Sequence, residues 1–414
     1  MPRVPIKKVE ARQILDSRGY PTLEVVVETA KGIGVFGVPS GASTGRAEAV
    51  ELRDGGDKFF GLGVTKAIKN VNEIIGKKLK GTDVANQKKV DEMLLELDGA
   101  LDKSNLGGNA LIGVSGAVCK AAAASKGIEV YEYVASLRRN KKYKLPRPMF
   151  NVINGGVHGD TNLNIQEFML VPSGQSFSEN LETASEVFQA LRKTLKLHRL
   201  DTDLGNEGGY SPNWESNEQP LRLIAEAVSQ TRHASQMELA LDAAANQFFN
   251  SRDKEYILNA DHTALNAERM VSLYRHWAEK YPIISIEDGL NEDDWEGWSA
   301  MQKRLGDKIM LVGDDLFVTQ AKRLKKGIEL GVANAIIIKP NQVGTITETM
   351  NTVVLAQKNN YKIVCSHRSG ETNDDFIADF AVGVGADFIK AGSVARGERV
   401  AKWNRLLKIE EELI

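Results

Sequence analysis

The run Ala335-Ile336-Ile337-Ile338-Lys339 sets the pattern for the second half of this chain: a short, β-branched apolar stretch closed by an ionisable residue. Five more runs share it, namely ELALD ending at Asp242, IISIE at Glu287, IMLVGD at Asp314, KIVCSH at His367 and DFIK at Lys390. Each is too short and too branched for a helix and reads as a parallel strand buried on both faces. Stretches of helical pattern follow them, Thr319 to Leu330 being one, and strand-helix units repeated at this spacing close into a barrel. Barrel enzymes carry their chemistry at the C-terminal strand ends, so three carboxylates, two lysines and a histidine are expected to converge on one mouth.

Outward from these runs the pattern changes. PMFNVIN (148–154) and IQEFMLVP (165–172) read as the first two barrel strands, joined by a Gly-rich connection with no room for a crossover helix. Helical patterns then come in succession near 177–198 and 217–233. The order is therefore ββαα(βα)6 rather than eightfold alternation. Upstream, VEARQIL (9–15), TLEVVVE (22–28) and GIGVFGV (32–38) alternate apolar and polar residues around turn-forming Asp16-Ser17-Arg18-Gly19 and Lys31-Gly32, which predicts a three-stranded antiparallel meander. Helical patterns follow at about 63–78, 86–97, 107–126 and 129–137. The expected fold is α/β, a C-terminal TIM-like barrel over 149–414 behind an N-terminal α+β domain over 1–137. The basic, Pro-containing segment 138–148 reads as the linker.

The bulk composition narrows the function class. Lys plus Arg is 53 against Asp plus Glu 55, for a net charge of -2, so no nucleic-acid or polybasic membrane partner is expected and the substrate is expected to be small. Cys119 and Cys365, with no C-x-x-C, argue against a disulfide frame or a thiolate zinc site. No apolar leader or transmembrane run stands out, and the expected location is the cytoplasm.

Asp242, Glu287 and Asp314 offer three hard oxygen ligands on successive strand ends, which suits an octahedral Mg²⁺. Singly, each could equally cap a helix or pair with a cation. Lys339, beside such a metal and near Lys390, is expected to have its ammonium form disfavoured and so to be available as a base. His367, Arg368 and Ser369, within Cys365 to Thr372, combine an imidazole, a forked donor and a hydroxyl that fit a phosphate or carboxylate clamp. The early barrel connections bring His158, Glu167 and, between flanking glycines, Glu207 to the same rim. Pro39 to Arg46, which holds Ser43, is small and flexible but lacks a P-loop ending, and is read as a lid.

Taken together, Leu15 to Gly19, Ser40 to Gly45, Asn151 to Glu167, Ser285 to Leu290, Gly313 to Leu316, Lys339 to Gly344 and Ser366 to Thr372 closely resemble the enolases, essentially end to end. The resemblance implies a Lys or His base acting with one or two Mg²⁺ ions, as in that superfamily. The resemblance implies reversible dehydration of 2-phosphoglycerate to phosphoenolpyruvate with two Mg²⁺, in glycolysis and gluconeogenesis. It implies that Asp242, Glu287 and Asp314 hold one ion and Ser43 helps hold the other. It further implies Lys339 as the base, Glu207 as the acid supported by Glu167 and His158, His367 near the leaving group, Arg368 and Ser369 on phosphate and Lys390 on carboxylate. A homo-oligomer, dimer or octamer, is also implied. Asn206, Asn246-Gln247, Gly159 and Pro340 depart from the pattern, and the missing charge at Asn206 is expected to bear on the pKa of Glu207. The alternatives are a superfamily member acting on a non-phosphorylated carboxylate, or a catalytically weakened enolase-like binding protein.

Overall fold

A computed structural model describes residues 3–41, 45–138 and 143–413. Part of the expected linker, 139–142, lies outside them. The meander forms as the alternation predicts: β1 (Ile6–Leu15), β2 (Pro21–Thr29) and β3 (Ile33–Gly37) make an antiparallel sheet in that order. Leu23, Val25 and Val27 of β2 are fully buried against the long helix Gly108–Lys126. The same helix lies close on β3 at Gly34, where a Cβ would lie 2.0 Å from the Ala117 carbonyl oxygen. Gly107 (φ 100°) and Gly127 (φ 64°) bound the helix in backbone conformations that L side chains rarely adopt. The other helices are Gln87–Asp98, Val130–Leu137 and a run of three pieces, Thr65–Lys69, Asn70–Ile75 and Gly76–Leu79, whose middle piece is π-wound.

The barrel comprises β4 (Arg147–Asn154), β5 (Glu167–Pro172) and β6 (Met237–Asp242), and later strands introduced below. Between β6 and the helix Ala267–Lys280 lies a small antiparallel sheet of β7 (Phe249–Asn250), β8 (Glu255–Leu258) and β9 (Thr263–Leu265), which the sequence did not announce. The barrel resumes with β10 (Ile283–Glu287), β11 (Met310–Gly313), β12 (Ala335–Ile338), β13 (Lys362–Ser366) and β14 (Phe388–Lys390). It closes in the order β10-β11-β12-β13-β14-β4-β5-β6. β5 runs antiparallel to both neighbours and every other pairing in the barrel is parallel. Met149, Met169, Val171, Ala240, Val312, Ile337 and Val364 fill its interior, so it is a packed core and not a pore. No single helix among the described residues is long and apolar enough to cross a membrane.

Two seams join the N-terminal sheet and helices to the barrel. In the first, Ser40 and Gly370 exchange backbone hydrogen bonds of 2.8 and 2.9 Å, and Ser17 N–H donates to the Glu371 carbonyl at 2.7 Å. In the second, the helix Ile346–Lys358 begins against buried groups of the N-terminal helices. Asp91 accepts from Thr347 N–H at 2.8 Å and from the Thr347 hydroxyl at 2.5 Å, and Ser115 Oγ accepts from Ile346 N–H at 2.9 Å. Two orphan donors of a helix N-terminus are thereby satisfied from across the seam.

Candidate active site

Parallel pairing sets the ionisable residues side by side. Glu287 of β10 is in register with Asp242 of β6, Asp242 faces Glu167 of β5, and Lys390 of β14 is level with Ser366 of β13. Asp314, Lys339 and His367 fall one residue beyond β11, β12 and β13. Asp288, at φ 42°, holds this edge in shape: its two oxygens accept the N–H groups of Asp314 and Asp315 at 2.9 and 2.7 Å. The resulting small cavity is lined by His158, Gln166, Glu167, Glu207, Asp242, Lys339, Ser366, His367, Arg368, Ser369 and Lys390.

Two lysines meet the three expected metal ligands. Lys390 Nζ lies 3.0 Å from Asp242 Oδ2 and 2.8 Å from Glu287 Oε1, and 3.4 Å from Glu167 Oε2. Lys339 Nζ pairs with Asp314 Oδ2, whose other oxygen accepts from Gln342 Nε2 at 3.0 Å. Burial acts to lower Lys339, but Asp314, aided by Glu287, offsets it and the ammonium is held above its ordinary pKa. The expected effects of burial and of Lys390 both act to lower it, and the Asp314 carboxylate from the neighbouring strand outweighs them.

Across the barrel stands a carboxylate pair. Glu207 Oε2 accepts from Asn151 Nδ2 at 3.0 Å and lies 3.3 Å from His367 Nε2, while Glu207 Oε1 and Glu167 Oε1 are each 3.5 Å from His158 Nδ1. Burial, then the Glu207 charge, push Glu167 well above the carboxylate range. Glu207 goes the other way: burial opposes ionisation, but the facing imidazoles and Arg399 hold it well below. Two carboxyls with divergent tendencies are suited to sharing one proton. The Asn206 side chain is exposed, and its Nδ2 reaches the Val157 carbonyl at 3.5 Å.

Arg368 is paired with Glu48, at 2.8 Å from Nη1 to Oε2, and Nη1 also donates to Asn341 Oδ1 at 3.1 Å. Ser369 Oγ is 3.0 Å from His158 Nε2. Asn151, Gln342, Asp288, Glu48 and Arg399 carry these contacts and were not singled out in the sequence. A polar Asn151 flanked on both sides by apolar residues, in Met-Phe-Asn-Val-Ile (149–153), was the available signal.

Among the described residues, the trios of metal-ligating side chains with ligand atoms all within 4.8 Å are His158, Glu167, Glu207 and Asp288, Asp314, Asp315. The second is already committed through Asp288 to backbone amides. Asp242, Glu287 and Asp314 are spread around the two ammonium groups, and such all-oxygen donors fit a hard divalent cation. Ser43 and its neighbours in the expected lid, 42–44, lie outside the described residues. The flanks are fixed to the barrel, Ser40 through Gly370 and Arg46 through Glu292 at 3.1 Å.

A family model described as the enolase C-terminal TIM barrel domain matches residues 142–414. A second, described as the enolase N-terminal domain, matches residues 6–134.

Proposed function

Because the chain belongs to the enolase family, we propose that it is the magnesium-dependent lyase that interconverts 2-phosphoglycerate and phosphoenolpyruvate. The observation that carries this reading is the placement of base and acid. Lys339 follows β12 and Glu167 begins β5, and these strands are diametrically opposite in the eight-strand ring. A substrate held between them has a basic nitrogen at one face and a proton-sharing carboxyl pair at the other, which suits elimination across a carbon-carbon bond.

Lys339, as the free amine, takes the proton from C2. The C–H electron pair becomes the C2=C3 double bond, the C3–O bond breaks, and the hydroxyl leaves as water with the proton of the Glu167–Glu207 pair, delivered by Glu207. Arg368 and Ser369 bind the phosphate, Lys390 the carboxylate, and His158 and His367 orient the acid pair. Asp242, Glu287 and Asp314 would hold one Mg²⁺ and Ser43 would help hold a second; bound there, the ions would supply positive charge that acidifies C2–H and offsets the Asp314 charge beside Lys339. The buried site excludes competing water.

We extend the reading to a cytoplasmic, glycolytic homo-oligomer whose N-terminal domain, residues 1–137, is linked through 138–148 to the barrel. The test is the absorbance rise on adding 2-phosphoglycerate, with Mg²⁺ and with EDTA, for the wild type beside Lys339→Ala. Metal-dependent turnover that falls by at least about 10³-fold in the variant is expected. A Mg²⁺-saturated wild type without turnover overturns the reaction.

A further inference from the structure

We propose that Arg399 is a positioning residue that locks His367 in the tautomer bearing its proton on Nε2, so that His367 faces Glu207 only as a hydrogen-bond donor. Arg399, on the helix Gly397–Leu413, is fully buried. Its Nη1 lies 2.6 Å from His367 Nδ1 and 2.6 Å from the Arg368 carbonyl oxygen, and Nη2 is 2.6 Å from the Ser369 carbonyl and 3.2 Å from that of Asn206. A guanidinium donates and never accepts, and it stays protonated. His367 Nδ1 is therefore the acceptor and carries no hydrogen.

In the neutral ring the proton then sits on Nε2, the atom 3.3 Å from Glu207 Oε2. Protonating Nδ1 as well would set one N–H against another. Burial, and Arg399 itself, accordingly push His367 down to about 4. With Asn151 also donating to Oε2, that oxygen of Glu207 is saturated, which leaves Oε1 to carry the transferable proton. The same guanidinium grips the peptide preceding Glu207, and so sets the distance between the acid and its donor.

The catalytic consequence rests on the proposed reaction, whereas the tautomer does not. The experiment is a long-range proton–nitrogen correlation spectrum of Mg²⁺-loaded protein labelled with ¹⁵N-histidine, at neutral pH. There are 6 histidines, and His367 is assigned by the signal lost in His367→Asn. The expected wild-type pattern is bare Nδ1 and protonated Nε2, kept in Arg399→Lys and replaced by a tautomer mixture in Arg399→Met. For Arg399→Met, kcat is expected to fall about 10²-fold with KM little changed, and Arg399→Lys to recover part of it. A wild-type His367 that is cationic or protonated on Nδ1 overturns the assignment even if Arg399→Met does not fold. An unchanged pattern in a folded Arg399→Met does the same. Absence of turnover alongside the expected spectrum counts against the reaction, not the tautomer.

Discussion

Replacing Asp91 tests how firmly the barrel is bound to the N-terminal helices. The carboxylate is fully buried and, with no ion pair among the described residues, accepts four hydrogen bonds: from Thr347 N–H and hydroxyl, from Ser115 Oγ at 2.7 Å and from Gln87 Nε2 at 3.1 Å. In Asp91→Ala the hydroxyls can rotate and Gln87 keeps the Ser115 carbonyl at 3.0 Å, but the Thr347 amide is orphaned. Lost bonds and the orphaned donor together cost about 4–6 kcal/mol. Against this, burial raises Asp91 from 3.8 to about 6, so removing its charge at neutral pH returns about 3 kcal/mol. The net destabilisation is about 2 kcal/mol.

The pH dependence has a definite sign. A carboxyl raised by folding contributes stability that is complete below its unfolded pKa and is lost as pH rises through about 6. Wild type should therefore gain about 1 kcal/mol relative to Asp91→Asn between about pH 7 and about pH 5. All 5 tryptophans, from Trp214 onward, lie in the barrel half, so fluorescence would not watch the other side of the seam. Hydrogen exchange by mass spectrometry does, on peptides from the helices Gln87–Asp98 and Ile346–Lys358. A loss below about 0.5 kcal/mol in Asp91→Ala, or parallel pH profiles for wild type and Asp91→Asn, would refute the reasoning.

Under the proposed reaction, Glu207→Gln should lower turnover by about 10²–10⁴-fold while deuterium from solvent still enters C2 of 2-phosphoglycerate, because the proposed base Lys339 is untouched. Loss of that exchange, read by proton NMR, would argue against separate acid and base. At Gly159 a Cβ would lie 1.8 Å from Ser211 Oγ. Gly159→Ala is expected to cost about 1–3 kcal/mol in thermal unfolding, and Ser211→Gly to restore most of it; an additive pair would show that the two do not touch.

Strands that end in charge were legible because β-branched runs such as AIIIK have one sensible environment. The helix Gly108–Lys126 was legible through its flanking glycines. The π-wound piece Asn70–Ile75 was not, since one wide turn barely disturbs an apolar period, and β7 to β9 are 2 to 4 residues long, too short for alternation to register. Arg399 and Lys402 were hidden for a different reason. Both stand in a charge-rich helix that reads as solvated, yet each is fully buried on carbonyls or a carboxylate from the 366–372 loop. The raised Lys339 was likewise illegible, because its partner Asp314 arrives from another strand.

The reversal of β5 decides which rim of the barrel each connection occupies. Since β5 runs away from the mouth, its partner connection from β4 turns over the mouth itself and delivers His158 and Glu167 there. The far end of β5 meets the start of β6, where Ser173 N–H donates to the Gln236 carbonyl at 2.9 Å. The helix Phe177–Leu197, about 31 Å long, must then climb back, and the helix Gln219–Ser229 descend. A helix-to-helix connection, Glu207 included, is thereby lifted onto the rim at the mouth. Both Glu167 and Glu207 come from this inverted quarter of the ring. A wholly alternating barrel would keep helix-exit connections on the opposite rim, so that supply of carboxylates belongs to the path of the chain and no side-chain substitution in such a barrel could reproduce it.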